Sequence, residues 1–256
     1  MASRLAIITG SAGDIGRAIA ARLASDHDVI ILADLDLAAA KSAAKQLGAK
    51  FVPMHLDVTD ADSCAALAAL TGPMGDLVTL VNNAGASCAV SLQSASVADW
   101  KFDRSLNLDG AFLVFQALSD QLIAAKGAVV NIASVNGMGV FGHPAYSAAK
   151  AGMIHLTKLI AVEYGKYGIR ANAVAPGTVR TQAWEDRAVA NPKVFDEAAE
   201  HYALGRIVNP IDVAEAVGFL ASPLAAAITG VCLPVDCGLT AGIPALARTF
   251  SQSDDY

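Results

Sequence analysis

Short runs of Val, Ile and Leu, barely interrupted by polar residues, alternate along this chain with longer Ala-rich segments of helical period. The runs are "RLAIIT", "DVIILA", "KFVPMH", "DLVTLVNN", "GAVVNIA", "GIRANAVAP" and "GVCLPVD", and the spacing predicts helices near 14–24 and 36–47, across about 99–125, and from about 145 to 165. A strand with one wet face alternates apolar and polar residues. These runs do not, so helices must cover both faces of the sheet they form. The pattern predicts an α/β fold, a single-domain Rossmann-like doubly wound parallel sheet of seven strands with helices on both faces, spanning 1–256. Over 178–208 Trp, Arg, Asp and Glu replace the Ala/Val background, which marks a substrate-lid insertion; the polar tail after about 248 is expected to be loose.

Composition narrows the partners. Hydrophobic residues make up 54% and charged ones 16%, values that suit a big two-sided core or much surface buried against further copies of the chain. Net charge is −6 and no Lys/Arg cluster occurs, so there is no electrostatic footprint for nucleic acid. Gly, Asp, Asn or Ser breaks each apolar run before it reaches the roughly 20 residues of a membrane helix. The opening "MASRLAIITG" enters strand-like sequence without a signal-peptide pattern, which points to the cytoplasm. Cys64, Cys88, Cys232 and Cys237 show no metal spacing and read as buried reduced thiols, and the five histidines are scattered, so no metal is expected. A small-molecule partner fits best.

The first strand runs into "TGSAGDIG", where Gly10, Gly13 and Gly16 lead to the helix "IGRAIAARLA". Glycines allow a tight turn, and the helix start offers free N–H groups to a pyrophosphate. Eighteen residues after Gly16, at the end of the second strand, Asp34 is placed to accept both hydroxyls of an adenosine ribose. Further on, Tyr146 and Lys150 in "YSAAK" lie one helical turn apart on one face, and Ser134 closes the strand "VVNIA" at the sheet edge that faces a ligand crevice.

Together these residues resemble the short-chain dehydrogenase/reductase family over nearly the full chain. The resemblance rests on Thr9 to Gly16, Asp57–Val58, Asn82 to Gly85, Asn107, Ser134, Tyr146 with Lys150, and Pro176–Gly177. It implies a catalytic unit of Asn107, Ser134, Tyr146 and Lys150, with Asn107 on the long helix holding a water that reaches the lysine. It also implies a dinucleotide held at Gly10, Gly13, Asp14, Ile15 and Gly16, with Asp57 and Val58 along the adenine. Asn83, Ala84 and Gly85 pass beneath the cofactor, Pro176 and Gly177 form a turn beside it, and Val179 and Thr181 touch the nicotinamide amide. Tyr146 and Lys150 serve cofactor and substrate alike. The family commonly forms tetramers, here through 99–125 and 145–165, so a homotetramer is expected.

Two departures from the family pattern stand out. Asp14 replaces the middle glycine of the turn; it is expected to turn away from the phosphates and cap the helix or a neighbouring loop, with Gly13 supplying flexibility. The Ser134–Tyr146 interval is twelve residues, one fewer than in many relatives, so "VNGMGVFGHPA" is expected to take its own path.

The chemistry requires a base that removes an alcohol proton as hydride leaves the same carbon. Moving a tyrosine from about pKa 10 to about 7 needs roughly 4 kcal/mol. One ammonium at about 4 Å supplies that order of energy at an effective dielectric near 20, so Lys150 is sufficient. Asp34, and the absence of basic residues in "DLDL", favour NAD over NADP. Ser87, Asn136, His143, Trp184, Glu185 and Arg187 are candidate substrate contacts, and a stacking face beside polar groups suits a sugar or polyol. The expectation is an NAD-dependent alcohol or sugar dehydrogenase; the alternatives are a 3-oxoacyl thioester reductase and a cofactor-sensing protein without catalysis.

Overall fold

The apolar runs pair side by side in one parallel sheet whose strand order is β3-β2-β1-β4-β5-β6-β7. The computed structural model describes residues 2–255, apart from the side chains of Asp186 and Arg187. In chain order the first half consists of β1 (Arg4–Thr9), α1 (Asp14–Leu23), β2 (Val29–Asp34), α2 (Leu37–Leu47), β3 (Phe51–His55), α3 (Ala61–Thr71), β4 (Asp76–Asn82), α4 (Val97–Arg104) and α5 (Gly110–Ala125). The second half consists of β5 (Ala128–Ile132), α6 (Pro144–Tyr164), β6 (Arg170–Pro176), α7 (Gln182–Ala188), α8 (Val194–Ala199), α9 (Pro210–Ala221), β7 (Cys232–Val235) and α10 (Pro244–Ser251).

Successive side chains of a strand point to opposite faces, and here both faces are dry. Ile8, Ile30 and Leu32 join Ile19 and Leu23 of α1 and Val213 and Val217 of α9 in one core. Their neighbours Ile7 and Ile31 join Leu67 of α3, Val114 and Leu118 of α5 and Ile160 of α6 in the other. Strand order reverses between β1 and β4, and a crevice opens at the carboxyl ends of these strands. None of the described helices is long and apolar enough to cross a membrane.

Several local expectations need correction. The helix expected across 99–125 is two helices joined by a π turn at Ser105–Asp109, in which the Gly110 N–H reaches the Ser105 carbonyl. The cause is Asn107, whose Nδ2 donates to the carbonyls of Asp103 (2.8 Å) and Ala86 (2.7 Å) and so competes with the regular ladder. The structure adds helices α3 and α9 to those the spacing predicts, and α9 carries Pro210 in its first turn and a reciprocal Asn209/Asp212 cap. The tail after 248 remains helical to Ser251. All four cysteines are unpaired, yet only Cys64 is buried; Cys88 is exposed because it lies in the loop beyond β4.

The segment that departs in composition leaves and rejoins the sheet end at a single bridge. Val179 pairs with Val208, and the Arg180 N–H donates to the Val208 carbonyl at 2.8 Å. Helices α7 and α8 form the excursion between these two points.

Candidate active site

The turn after β1 is shaped by contact with the turn after β4. Gly10 has φ +60°, and a Cβ there would stand 2.7 Å from the Ala84 Cα. Thr9 Oγ1 accepts the N–H groups of Asn83 and Ala84, both at 3.0 Å, while Asn83 Nδ2 donates to the carbonyls of Thr9 (3.0 Å) and Gly10 (2.9 Å). At Gly16 a Cβ would meet the Gly10 carbonyl oxygen at 2.6 Å, so α1 can start this close only with glycine. The left-handed residue is Gly10; Gly13 is extended at φ −73°, contrary to the expected flexibility there.

Asp14 opens α1 without a left-handed backbone. Its Oδ1 accepts from Arg17 Nη2 and its Oδ2 from the Gln182 backbone N–H at 2.7 Å, so the carboxylate caps a neighbouring segment, one of the two expected roles. At the end of β2, Asp34 accepts the Ala12 N–H at 2.8 Å and the Asp36 N–H at 3.0 Å, which ties this carboxylate to the glycine turn. Asp57 accepts both the hydroxyl and the N–H of Thr59, and these bonds hold its carboxyl below the usual range. Val58 is buried among the residues of the second core.

Ser134, Tyr146, Lys150 and Asn107 converge at the ends of β4 and β5. Ser134 follows β5 and accepts the Asn136 N–H at 3.2 Å. Asn136 Nδ2 in turn donates to the Gly142 carbonyl (2.9 Å) and Ser147 Oγ (3.2 Å), which closes the shortened loop onto α6. Lys150 is 2% exposed, and its Nζ donates to the Ile132 carbonyl at 2.7 Å and lies 5.4 Å from the centre of the Tyr146 ring. Burial lowers its pKa to about 7. Burial also raises Tyr146; its bond with Ser134 acts against this, and the charge of Asp103 adds to the rise. Desolvation is the leading influence at both groups: it raises the phenol and weakens the ammonium beside it.

Gly85 separates these groups. A Cβ on it would lie 2.6 Å from Asn107 Oδ1 and 3.4 Å from Lys150 Nζ, and Asn107 Oδ1 is buried without a protein partner. Asp103, one turn before Asn107, is likewise buried, with one oxygen on the Cys88 N–H at 3.0 Å and the other unpartnered.

A cleft of about 1060 Å³ opens above this floor. Ile15, Asn83, Gly85, Pro176, Gly177, Val179 and Thr181 are among the residues that line it, as are Ser87, Asn136, His143 and Trp184. The remaining turn residues, Gly10, Gly13, Asp14 and Gly16, and also Asp34, Asp57, Val58 and Ala84, stand outside its walls. Glu185 is not among the residues that line it, and its carboxylate pairs with Arg180 at 2.6 Å. Arg187 lies outside the described residues as a side chain. His143 is held at φ +53° just before α6, with its Nδ1 buried and unpartnered.

Sequence reasoning missed two walls. Glu200, His201 and Tyr202 enter from the end of α8, and Leu239, Thr240 and Ile243 from the segment beyond β7. The second group had a readable signal, since it follows a strand end at the carboxyl edge. The first had none beyond its place in the insertion.

A family model described as enoyl-(acyl carrier protein) reductase matches residues 10–240. An uncharacterized oxidoreductase of Schizosaccharomyces pombe is 38% identical over 99% of this chain and 97% of its own length. The meso-2,3-butanediol dehydrogenase of Serratia marcescens is 32% identical over 93% and 95%. Among solved structures, an oxidoreductase of the short chain dehydrogenase/reductase family from Burkholderia thailandensis is 40% identical, covers 100% of both chains and superimposes with a TM-score of 0.94.

Proposed function

The chain belongs to the short-chain dehydrogenase/reductase family of oxidoreductases, whose dehydrogenases act on CH–OH groups with nicotinamide cofactors, and we propose that this member interconverts a secondary alcohol and its carbonyl using NAD. The observation that carries this reading is the convergence of Ser134, Tyr146 and Lys150 on one cleft floor, with Asn107 behind Gly85.

The residues present fit a dinucleotide. The Gly10–Gly16 turn frees N–H groups at the start of α1, and the unpartnered Asn107 Oδ1 is a buried acceptor in need of a donor, the position of a bound water. Asp34 would hold the adenosine ribose, Asp57 and Val58 the adenine, Asn83 to Gly85 would support the cofactor, and Val179 and Thr181 would orient the carboxamide. When bound, the nicotinamide supplies the hydride acceptor that no side chain offers. Ser134 orients the substrate oxygen and stabilises its developing charge, while Tyr146 takes or returns its proton. Lys150, poised at about 7, shares that proton and passes it toward Asn107.

Residues 178–208 act as a lid, a reading supported by the single bridge that closes their base. Ser87, Asn136, His143 and Trp184, with the polar groups of Glu200, His201 and Thr240, suit a small hydroxylated substrate such as a sugar or polyol. An acyl-carrier thioester would need cations for its phosphates, and Lys150 is the one Lys or Arg among the described residues lining the cleft. Outward-facing Trp100, Phe102 and Phe112 on α4 and α5, and Leu159 and Val162 on α6, support a homotetramer, to be read as mass by light scattering. Free thiols accord with the cytoplasm.

The test is turnover with NAD and NADP on a panel of polyols, sugars and apolar secondary alcohols. The reading predicts activity with NAD and highest kcat/KM on hydroxylated substrates. Absence of turnover on the whole panel would favour a cofactor-sensing role.

A further inference from the structure

We propose that Asp14 is a positioning residue that latches α7, and with it the cleft wall carrying Thr181 and Trp184, to the cofactor turn. Asp14 and Gln182 are 168 residues apart in the chain, yet Asp14 Oδ2 accepts the Gln182 N–H at 2.7 Å. Gln182 is the first residue of α7, where backbone N–H groups have no partner within the helix. The residues on either side of Gln182 face the cleft, since Thr181, Ala183 and Trp184 all line it.

The latch is built to be stiff at both ends. Arg17 Nη2 holds the other oxygen of Asp14, which fixes the carboxylate and offsets its charge beside a pyrophosphate site. On the lid side, Arg180 pairs with Glu185 of α7 at 2.6 Å and lies 4.6 Å over the Phe195 ring of α8, joining the two lid helices. A glycine at position 14, the residue typical of the family's turn, has no side chain to make this link. The substitution thus trades backbone freedom that α1 does not use for a contact that orders the substrate wall.

The inference rests on reading 178–208 as a lid, and its test separates the two. Four variants are compared: Asp14→Gly removes the acceptor, Gln182→Pro removes the donor at a helix position where proline is well tolerated, Gln182→Ala keeps the N–H, and Asp14→Asn keeps an acceptor oxygen. Amide hydrogen exchange of α7, cofactor Kd and alcohol KM and kcat are measured for each. Asp14→Gly and Gln182→Pro are each expected to speed exchange in α7 and raise alcohol KM by about tenfold, the scale of one charge-assisted hydrogen bond, with kcat changed less. Cofactor Kd is expected to rise less than alcohol KM, because Thr181 is the one cofactor contact on the latched wall while the glycine turn keeps its own bonds to Asn83 and Ala84. The double variant is no worse than either single one, Asp14→Asn restores slow exchange, and Gln182→Ala keeps it. Unchanged α7 exchange in Asp14→Gly, or additive effects in the double variant, would overturn the latch. Faster exchange with unchanged alcohol KM would keep the latch and overturn the lid reading on which it rests.

Discussion

Lys150 donates to the Ile132 carbonyl at 2.7 Å from a position only 2% exposed, so its ammonium is largely withdrawn from bulk solvent. Its pKa falls from 10.5 to about 7 through burial. The unfolded chain therefore holds this proton between about pH 7 and 10.5 while the folded chain has released it, and stability rises with pH across that window. Lys150→Met is expected to flatten the rise and to stabilise the protein at pH 7 by an amount of order 3 kcal/mol. Urea unfolding of both proteins at pH 7 and 9.5 measures it; parallel slopes would show that the ammonium is not desolvated. The same variant loses turnover.

Tyr146→Phe tests the proton step in isolation. The hydroxyl is required for proton transfer and not for cofactor contact, so kcat is expected to fall at least about a hundredfold while NAD Kd changes less than about threefold. Retention of more than about a tenth of kcat would remove Tyr146 from the acid/base role.

His27 supplies a different pH signal. It is buried, with Nδ1 on the Leu23 carbonyl and Nε2 on Thr79 Oγ1, both at 2.9 Å, and burial lowers its pKa against the opposing bond to Leu23. A neutral ring that donates to Leu23 and accepts from Thr79 satisfies both neighbours. Its stability contribution is complete above the unfolded pKa of 6.5 and is lost as pH falls from there toward the lowered folded value. Wild type is expected to lose stability between pH 7 and 5 more steeply than His27→Asn. Equal slopes in thermal melts would show that His27 is protonated in the folded protein.

Asp34 is expected to set cofactor choice. Its carboxylate is held against the glycine turn by the Ala12 N–H, where the 2′-phosphate of NADP would meet it. A like-charge meeting of about 3 kcal/mol gives roughly a hundredfold preference for NAD. Asp34→Ala is expected to narrow the kcat/KM ratio at fixed salt, and comparable wild-type values for the two cofactors would refute the argument.

What the chain's own order determined was everything carried by near neighbours. Apolar runs specify strands buried on both faces, "TGSAGDIG" specifies a strand-to-helix turn, and four residues of α6 place Tyr146 and Lys150 on one side, because each pattern is set by backbone geometry over a few residues. Only the tertiary structure decided matters that join distant segments. It paired Glu185 with Arg180 and left it out of the cleft's lining, brought Glu200 to Tyr202 and the segment beyond β7 into that lining, and met the Asp14 carboxylate with Gln182. It also broke the long helix at Asn107, whose amide found the Ala86 carbonyl 21 residues away. The same holds for charge: sequence spacing placed an ammonium near a phenol, but burial decided the pKa of both, and burial is a property of the whole packed chain.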